Sequence, residues 1–190
     1  MKNNTYLRLK PIVSSMMNNL FKPVVEYEEE IPSDSKIILA GNHISNFDPI
    51  LLYANIKRQV HFLAKEELFK GITKSLMNSL ECIKVNREGR GLESIKESVN
   101  LLNDDKCILI FPEGTTNKSD SLILPFKLGT IAIAKRSRSD IIPFAITGNY
   151  KLIKNDLKLK FGKRIKINDY NSYELSEKLE EDIKTLILKK

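Results

Sequence analysis

The chain has 190 residues, 42% hydrophobic and 29% charged, which suits one globular domain with a substantial core and excludes a disordered or fibrous chain. Two cysteines without a CxxC pair, and only two histidines, argue against a disulfide scaffold and a histidine-based metal centre, so no metal site is expected. The net charge of +7 suits an anionic membrane surface or nucleic acid, and a solvated basic surface would carry it equally well.

The N-terminal stretch 1–25 contains Lys2, Arg8, Lys10 and Lys22 and no acid. Within it Leu9, Ile12, Val13, Met16, Met17, Leu20, Phe21 and Val24 recur at i, i+3, i+4, i+7 spacing, which predicts an amphipathic helix with Pro11 tolerated near its first turn. Its apolar face either docks on a core or lies in a lipid interface with the nearby cations on anionic headgroups. The segment lacks the apolar core and small-residue cleavage site of a signal peptide, and no apolar run approaches the ~18 residues needed to span a bilayer. The expected location is therefore the cytoplasmic face of a membrane, peripherally bound. Cys82 and Cys107 fall in apolar stretches and read as buried reduced thiols.

A polar, acidic stretch over 26–35 leads into 36–190, which reads as a single α/β domain. Strands are predicted over 36–40, 60–64, 83–86, 107–111, 141–147, 157–161 and 164–167. Helices are predicted over 49–56, 72–80, 92–102, 128–135 and 173–188. The runs Ile37-Ile38-Leu39-Ala40 and Ile108-Leu109-Ile110-Phe111 are apolar at every position, as in central strands covered on both faces. The expected fold is thus a mostly parallel central sheet of about seven strands flanked by helices. Gly162 suggests a hairpin at the sheet edge. Leu175, Leu179, Ile183, Leu186 and Ile187 give the last helix one apolar face for closing the domain.

Two loops carry candidate chemistry. Gly41-Asn42-His43-Ile44-Ser45-Asn46-Phe47-Asp48-Pro49 links a buried strand to a helix, so His43 lies at the carboxyl end of a strand, where open α/β sheets place their sites. Asp48 before Pro49 predicts a helix start, with Asp48 as N-cap. A histidine takes a proton from an attacking hydroxyl when a carboxylate holds its other ring nitrogen, and Asp48 is within reach. Taken alone, the stretch is equally a loop histidine beside a helix cap. Phe111-Pro112-Glu113-Gly114-Thr115-Thr116-Asn117 again follows a buried strand; Gly114 permits close backbone approach, and Thr115 and Thr116 offer hydroxyls and amides to a phosphate. Lys65 lies just after the predicted strand 60–64, and Arg87 ends the short stretch Cys82 to Arg87, each as a surface charge or as a phosphate ligand.

In combination these segments resemble the 1-acylglycerol-3-phosphate (lysophosphatidate) acyltransferase family. Asn42, His43 and Asp48 match its Asn-His-x4-Asp motif. Ile83 to Arg87 matches a short strand ending in arginine, Phe111 to Thr115 matches Phe-Pro-Glu-Gly-Thr, and Ile142-Pro143-Phe144-Ala145-Ile146 matches a proline-centred apolar strand. Pro125-Phe126-Lys127-Leu128-Gly129 is similar to the segment after the third motif. The resemblance covers roughly 36–148, with the motifs in family order. It implies His43 as general base oriented by Asp48, and Lys65, Arg87, Glu113, Gly114, Thr115 and Thr116 as substrate-binding residues. It also implies a lysophospholipid acceptor, acyl-CoA or acyl carrier protein as co-substrate, and no bound cofactor. The family has arginine where this chain has Thr116, which leaves the acceptor phosphate to Arg87, Lys65 and Lys127.

Glycerol-3-phosphate or another lyso-lipid remains an alternative acceptor. From a different class, a non-catalytic basic membrane-binding module would fit the charge. Nucleic acid is not an expected partner, given few aromatics, no Trp and no recognisable nucleic-acid-binding signature. No Gly-x-Ser-x-Gly elbow marks a serine hydrolase, though water in place of the acceptor would give slow thioester hydrolysis.

Overall fold

The computed structural model describes residues 4–70, 74, 77, 80–85, 91–152 and 156–189. Five helices, α1 (Asn4–Phe21), α2 (Asp48–Asn55), α3 (Leu92–Asn103), α4 (Gly129–Ser137) and α5 (Ser172–Leu188), surround seven strands among these residues. The strands are β1 (Val24–Tyr27), β2 (Ile37–Gly41), β3 (Val60–Lys65), β4 (Ile83–Val85), β5 (Cys107–Ile110), β6 (Ile141–Thr147) and β7 (Lys158–Phe161). They form one sheet in the order β1-β7-β6-β2-β5-β3-β4. Every neighbouring pair is parallel except β6 with β7. The mostly parallel α/β sheet expected from the apolar runs is what forms. The helix expected over 72–80 and the end of the strand expected over 83–86 lie largely outside the described residues.

Side chains alternate across β2, and every position is buried because both faces are covered. Ile37 and Leu39 join Tyr6, Met17, Leu51 and Leu52 on the α1/α2 side. Ile38 and Ala40 join Leu102, Ile131, Leu175 and Ile183 on the α3/α4/α5 side. The last helix begins with a capping box formed by Asn171 and Glu174, and its Leu175, Leu179, Ile183 and Leu186 are buried as its spacing requires.

Three local expectations are corrected. Residues 24 and 25, expected at the end of the first helix, instead open the strand Val24–Tyr27, so the N-terminal segment contributes to the sheet. Pro23 cannot extend a helix and disfavours helical backbone at Lys22, which sits at φ 45°, and β-branched Val24 and Val25 then pair with β7. Residues 164–167 do not fold back as a hairpin. The chain continues along β6 past Gly162, and one extra residue is accommodated between the pairs Phe144–Phe161 and Ile141–Ile165, a bulge beside Pro143. Gly162 packs tightly here, since a Cβ there would come within 3.0 Å of Pro143 Cγ and 3.1 Å of Leu186 Cδ1. The third correction, at Asp48, belongs to the site below.

Helix α1 does more than one thing with its apolar residues. Tyr6, Val13, Met17 and Phe21 pack into the core, and the Tyr6 ring meets Tyr53 edge-on at 4.8 Å. Ile12, Met16 and Leu20 stay outside, 67%, 49% and 44% exposed. Among the described residues no helix is long and apolar enough to cross a membrane.

Gly41 closes β2 directly under the histidine loop. A Cβ at this position would fall 2.3 Å from the Phe144 carbonyl oxygen and 2.4 Å from its Cδ2, in the adjacent central strand. Overpacking of that kind costs ~1–3 kcal/mol or more. Gly41→Ala is therefore expected to lower the melting temperature by roughly 5–10 °C, at ~2–4 °C per kcal/mol for a chain this long. A thermal melt of the variant within 2 °C of the parent would contradict this packing.

Candidate active site

The site is built at the carboxyl ends of β2 and β5, adjacent strands whose chains leave the sheet as loops. Asn42 comes first. Its side-chain amide donates to the Ile146 carbonyl at 2.9 Å, and its Oδ1 accepts from the Ile146 N–H at 2.7 Å. The side chain thus pairs with β6 as a strand residue would, and the main chain is free to turn away at His43.

His43 Nδ1 lies 2.8 Å from Asp48 Oδ2. The same oxygen accepts the backbone N–H groups of Ile44 at 2.7 Å and Ser45 at 2.8 Å. The carboxylate is fully buried. This corrects the capping role expected for Asp48. Phe47 occupies the N-cap, Asp48 is the first helical residue, and its carboxylate turns back onto the loop instead of onto the helix amides. A carboxylate only accepts, so Nδ1 carries a proton, and in the neutral ring Nε2 presents the lone pair. The ring stacks on Phe111, with centroids 4.1 Å apart and planes 16° from parallel, and Phe111 meets Phe144 edge-on. The side chain is 15% exposed, so the base is reachable but otherwise enclosed.

The 111–117 loop is tied to this histidine from both sides. Glu113 is buried, and its two oxygens accept the N–H groups of His43 at 2.9 Å and Leu124 at 2.7 Å. Burial pushes its carboxyl above the usual carboxylate range, while those two hydrogen bonds act in the opposite direction. Its contacts make it a brace between loops. Asn117 N–H donates to the His43 carbonyl at 2.7 Å. Between these tethers Gly114 adopts φ +66°, and Lys127 lies across it so closely that a Cβ would be 2.9 Å from Lys127 Nζ. Thr115 is exposed, and Thr116 Oγ1 reaches His43 Nε2 at 3.3 Å.

The structure therefore gathers His43, Asp48, Glu113, Gly114, Thr116 and Lys127. Lys65 is exposed at the end of β3, on the same edge of the sheet but separated from β2 by β5. Arg87 lies outside the described residues. Burial pushes the thiols of Cys82 and Cys107 up to about 12, leaving both protonated and unreactive. Among the described residues no group of His, Cys, Asp or Glu is arranged to hold a metal.

Sequence reasoning missed Tyr150. Its hydroxyl donates to Asp48 Oδ1 at 2.6 Å, and its ring packs on Phe21 and Phe47. Burial, with the Asp48 carboxylate beside it, raises the phenol's pKa, so it stays a donor. Nothing in the spacing pairs residues 48 and 150; the position just after the proline-centred strand is the one available signal. An open groove of about 570 Å³ runs beside this loop, lined by Asn42, Ile44, Ser45, Leu122, Ile146 and Tyr150 among others.

A family model described as Acyltransferase matches residues 22–147. A 1-acyl-sn-glycerol-3-phosphate acyltransferase of Bacillus subtilis is 33% identical over 123 residues, 64% of this chain and 60% of that protein. One from Cocos nucifera is 30% identical over 161 residues, 78% of this chain and 52% of its own length. The chain thus spans a little over half the length of these relatives. The crystal structure of the 1-acyl-sn-glycerophosphate acyltransferase of Thermotoga maritima superposes with a TM-score of 0.77 at 25% identity, over 94% of this chain and 76% of that one.

Tyr150→Phe removes one hydrogen bond to a buried charge and little else. It is expected to cut kcat of the acyl transfer proposed below about tenfold, equivalent to ~1.4 kcal/mol at the barrier, with KM nearly unchanged. A kcat equal to the parent's would remove Tyr150 from the set that orients the carboxylate.

Proposed function

The chain belongs to the acyltransferase family, and on that premise we propose that it moves a fatty acyl group from an acyl thioester to the sn-2 hydroxyl of 1-acylglycerol-3-phosphate, giving phosphatidate. The observation that carries this reading is the His43–Asp48 pair, with Nε2 as the nitrogen turned away from the carboxylate. Neutral His43 takes the proton of the attacking hydroxyl, and the thiolate of the donor, acyl-CoA or acyl carrier protein, leaves with that proton. Asp48 fixes the tautomer and stabilises the imidazolium formed at the barrier. No bound cofactor enters these steps.

For the acceptor phosphate, the proposed ligands are Arg87, Lys65 and Lys127, the last supported by its place over Gly114. Glu113 acts by holding the two loops together. The proposed setting is the cytoplasmic face of an anionic membrane. Ile12, Met16 and Leu20 would enter the interface with Arg8 on headgroups, and Phe47, 49% exposed and 6.2 Å from the Phe21 ring, links that stripe to the histidine loop.

His43→Ala should lower kcat by ~10²–10⁴-fold in a folded protein. Asp48→Asn can keep an oxygen toward His43, Ile44 and Ser45 while its amide faces the Tyr150 hydroxyl. It should therefore fold and lose kcat with little change in acceptor KM. Both are read in an assay with lysophosphatidate and each thioester donor, and near-normal turnover by folded His43→Ala ends the mechanism. Replacing Ile12, Met16 and Leu20 together with Ser should weaken binding to anionic liposomes by about tenfold or more, because apolar area carries interfacial binding. Undiminished binding would remove α1 as the membrane contact.

A further inference from the structure

The Asp48 carboxylate is held on one oxygen by its own loop and on the other by Tyr150, whose hydroxyl donates to Oδ1 at 2.6 Å. Tyr150 lies in the loop between β6 and β7, just past Gly148 at φ +88°. No ladder of backbone hydrogen bonds sets its side chain, so packing must aim the hydroxyl. Its ring meets Phe21 edge-on, with centroids 5.5 Å apart and planes 81° from parallel, and lies 5.7 Å from the Phe47 ring. Phe21 and Phe47 are 6.2 Å apart, so the three rings close on one another. We propose that Phe21, the last residue of α1, is a positioning residue of the active site. It holds the Tyr150 ring where the hydroxyl reaches Asp48, so that α1 supports the base as well as the fold. The inference rests on the acyl-transfer reading above and assigns to that reaction a residue outside both strand-end loops.

Two features support it beyond the ring contacts. Phe21 is fixed independently of the site. Lys22 ends α1 at φ 45°, Pro23 follows, and the Val24 N–H donates to the Leu157 carbonyl at 2.9 Å as β1 begins to pair with β7. The end of α1 is thereby joined to the far end of the loop that carries Tyr150. Phe47, by contrast, is the N-cap of α2 and moves with Asp48, its neighbour in the chain. Phe21 is the ring that brings an outside reference to the cluster.

The second feature is how little movement matters. A hydrogen bond of 2.6 Å is lost once the oxygen withdraws by about 1 Å. A tyrosine ring swings about two side-chain torsions, and a gap where the Phe21 ring now packs would admit that swing. Asp48 would then keep donors on Oδ2 alone, from His43, Ile44 and Ser45, and its carboxylate would be less firmly held against the imidazole. Because the orientation of the base counts at the barrier, the effect falls on kcat and not on acceptor KM.

The test uses the full chain with Phe21→Leu, which keeps an apolar side chain and removes the ring, beside Phe21→Tyr, which keeps the ring. Both are assayed with an acyl thioester and a short-chain lysophosphatidate dissolved below its micelle concentration, without vesicles, so that membrane binding plays no part. Phe21→Leu should lower kcat about fivefold, with acceptor KM and melting temperature close to the parent's, and Phe21→Tyr should keep most of the parent kcat. In a Tyr150→Phe background Phe21→Leu should cost nothing further, because the bond through which it acts is already gone. In a crystal structure of Phe21→Leu the Tyr150 hydroxyl should stand beyond hydrogen-bond reach of Asp48. If Phe21→Leu melts well below the parent, Phe21→Met, which also lacks the ring, carries the same comparisons. A kcat equal to the parent's, a loss that multiplies with that of Tyr150→Phe, or a hydroxyl that stays on Asp48 overturns the proposal and leaves the proposed function standing. A displaced hydroxyl, in a protein whose parent does not acylate lysophosphatidate, keeps Phe21 as the support of Tyr150 and overturns the acceptor assigned above.

Discussion

The site depends on one buried charge. Asp48 has no exposed surface, and an isolated carboxylate there would cost several kcal/mol of lost hydration. Four donors offset that cost: His43, Ile44 and Ser45 on one oxygen and Tyr150 on the other. Three of them lie within five residues upstream, so satisfying the charge also forces the loop into the turn that aims Nε2 outward. The fourth comes from beyond β6 and locks the loop to the far side of the crevice. Asp48 is therefore at once the orienter of the base and the nucleus about which its loop is wound, and these two roles cannot be separated by substitution without the isosteric amide.

A similar economy governs the cations. Lys10 donates to the carbonyls at the end of α2, Lys135 to those of Ile167 and Tyr170, and Lys160, nearly inaccessible, to Leu186 and Lys189 at the end of α5. Arg58 donates to Pro32, Ser35 and Asp105. These groups satisfy carbonyls that helices and turns leave open, where positive charge also meets the negative end of a helix dipole. Of the basic residues crowded into 135–168, Arg164 and Lys166 are additionally paired with Glu29 and Asp140. Part of the charge that reads as an electrostatic surface in the sequence is thus holding the fold together.

The parallel centre of the sheet was legible because β2, β5 and β6 are apolar at nearly every position, a pattern that needs cover on both faces. The His43–Asp48 pair was legible because its members are five residues apart. Tertiary facts were not. Val24 looked like more helix because it happens to continue the helical spacing, and only pairing with β7 makes Val24–Tyr27 a strand. Gly162 looked like a turn because the constraint on it is a neighbouring helix, not its own backbone. Tyr150 reaches the site across 102 residues, a separation over which periodicity carries no information.

Asn42 shows how a sheet can be opened without breaking it. A primary amide is the one side-chain group that carries a donor and an acceptor with the polarity of a peptide, so Asn42 stands in for the main-chain unit that β2 withdraws from β6. The two strands part at that point, yet neither the N–H nor the carbonyl of Ile146 is orphaned. An aspartate of the same shape would set acceptor against acceptor at the carbonyl. The letter before the histidine is thus dictated by hydrogen-bond polarity: it is the last stitch of the seam, placed so that the cloth can gape beyond it.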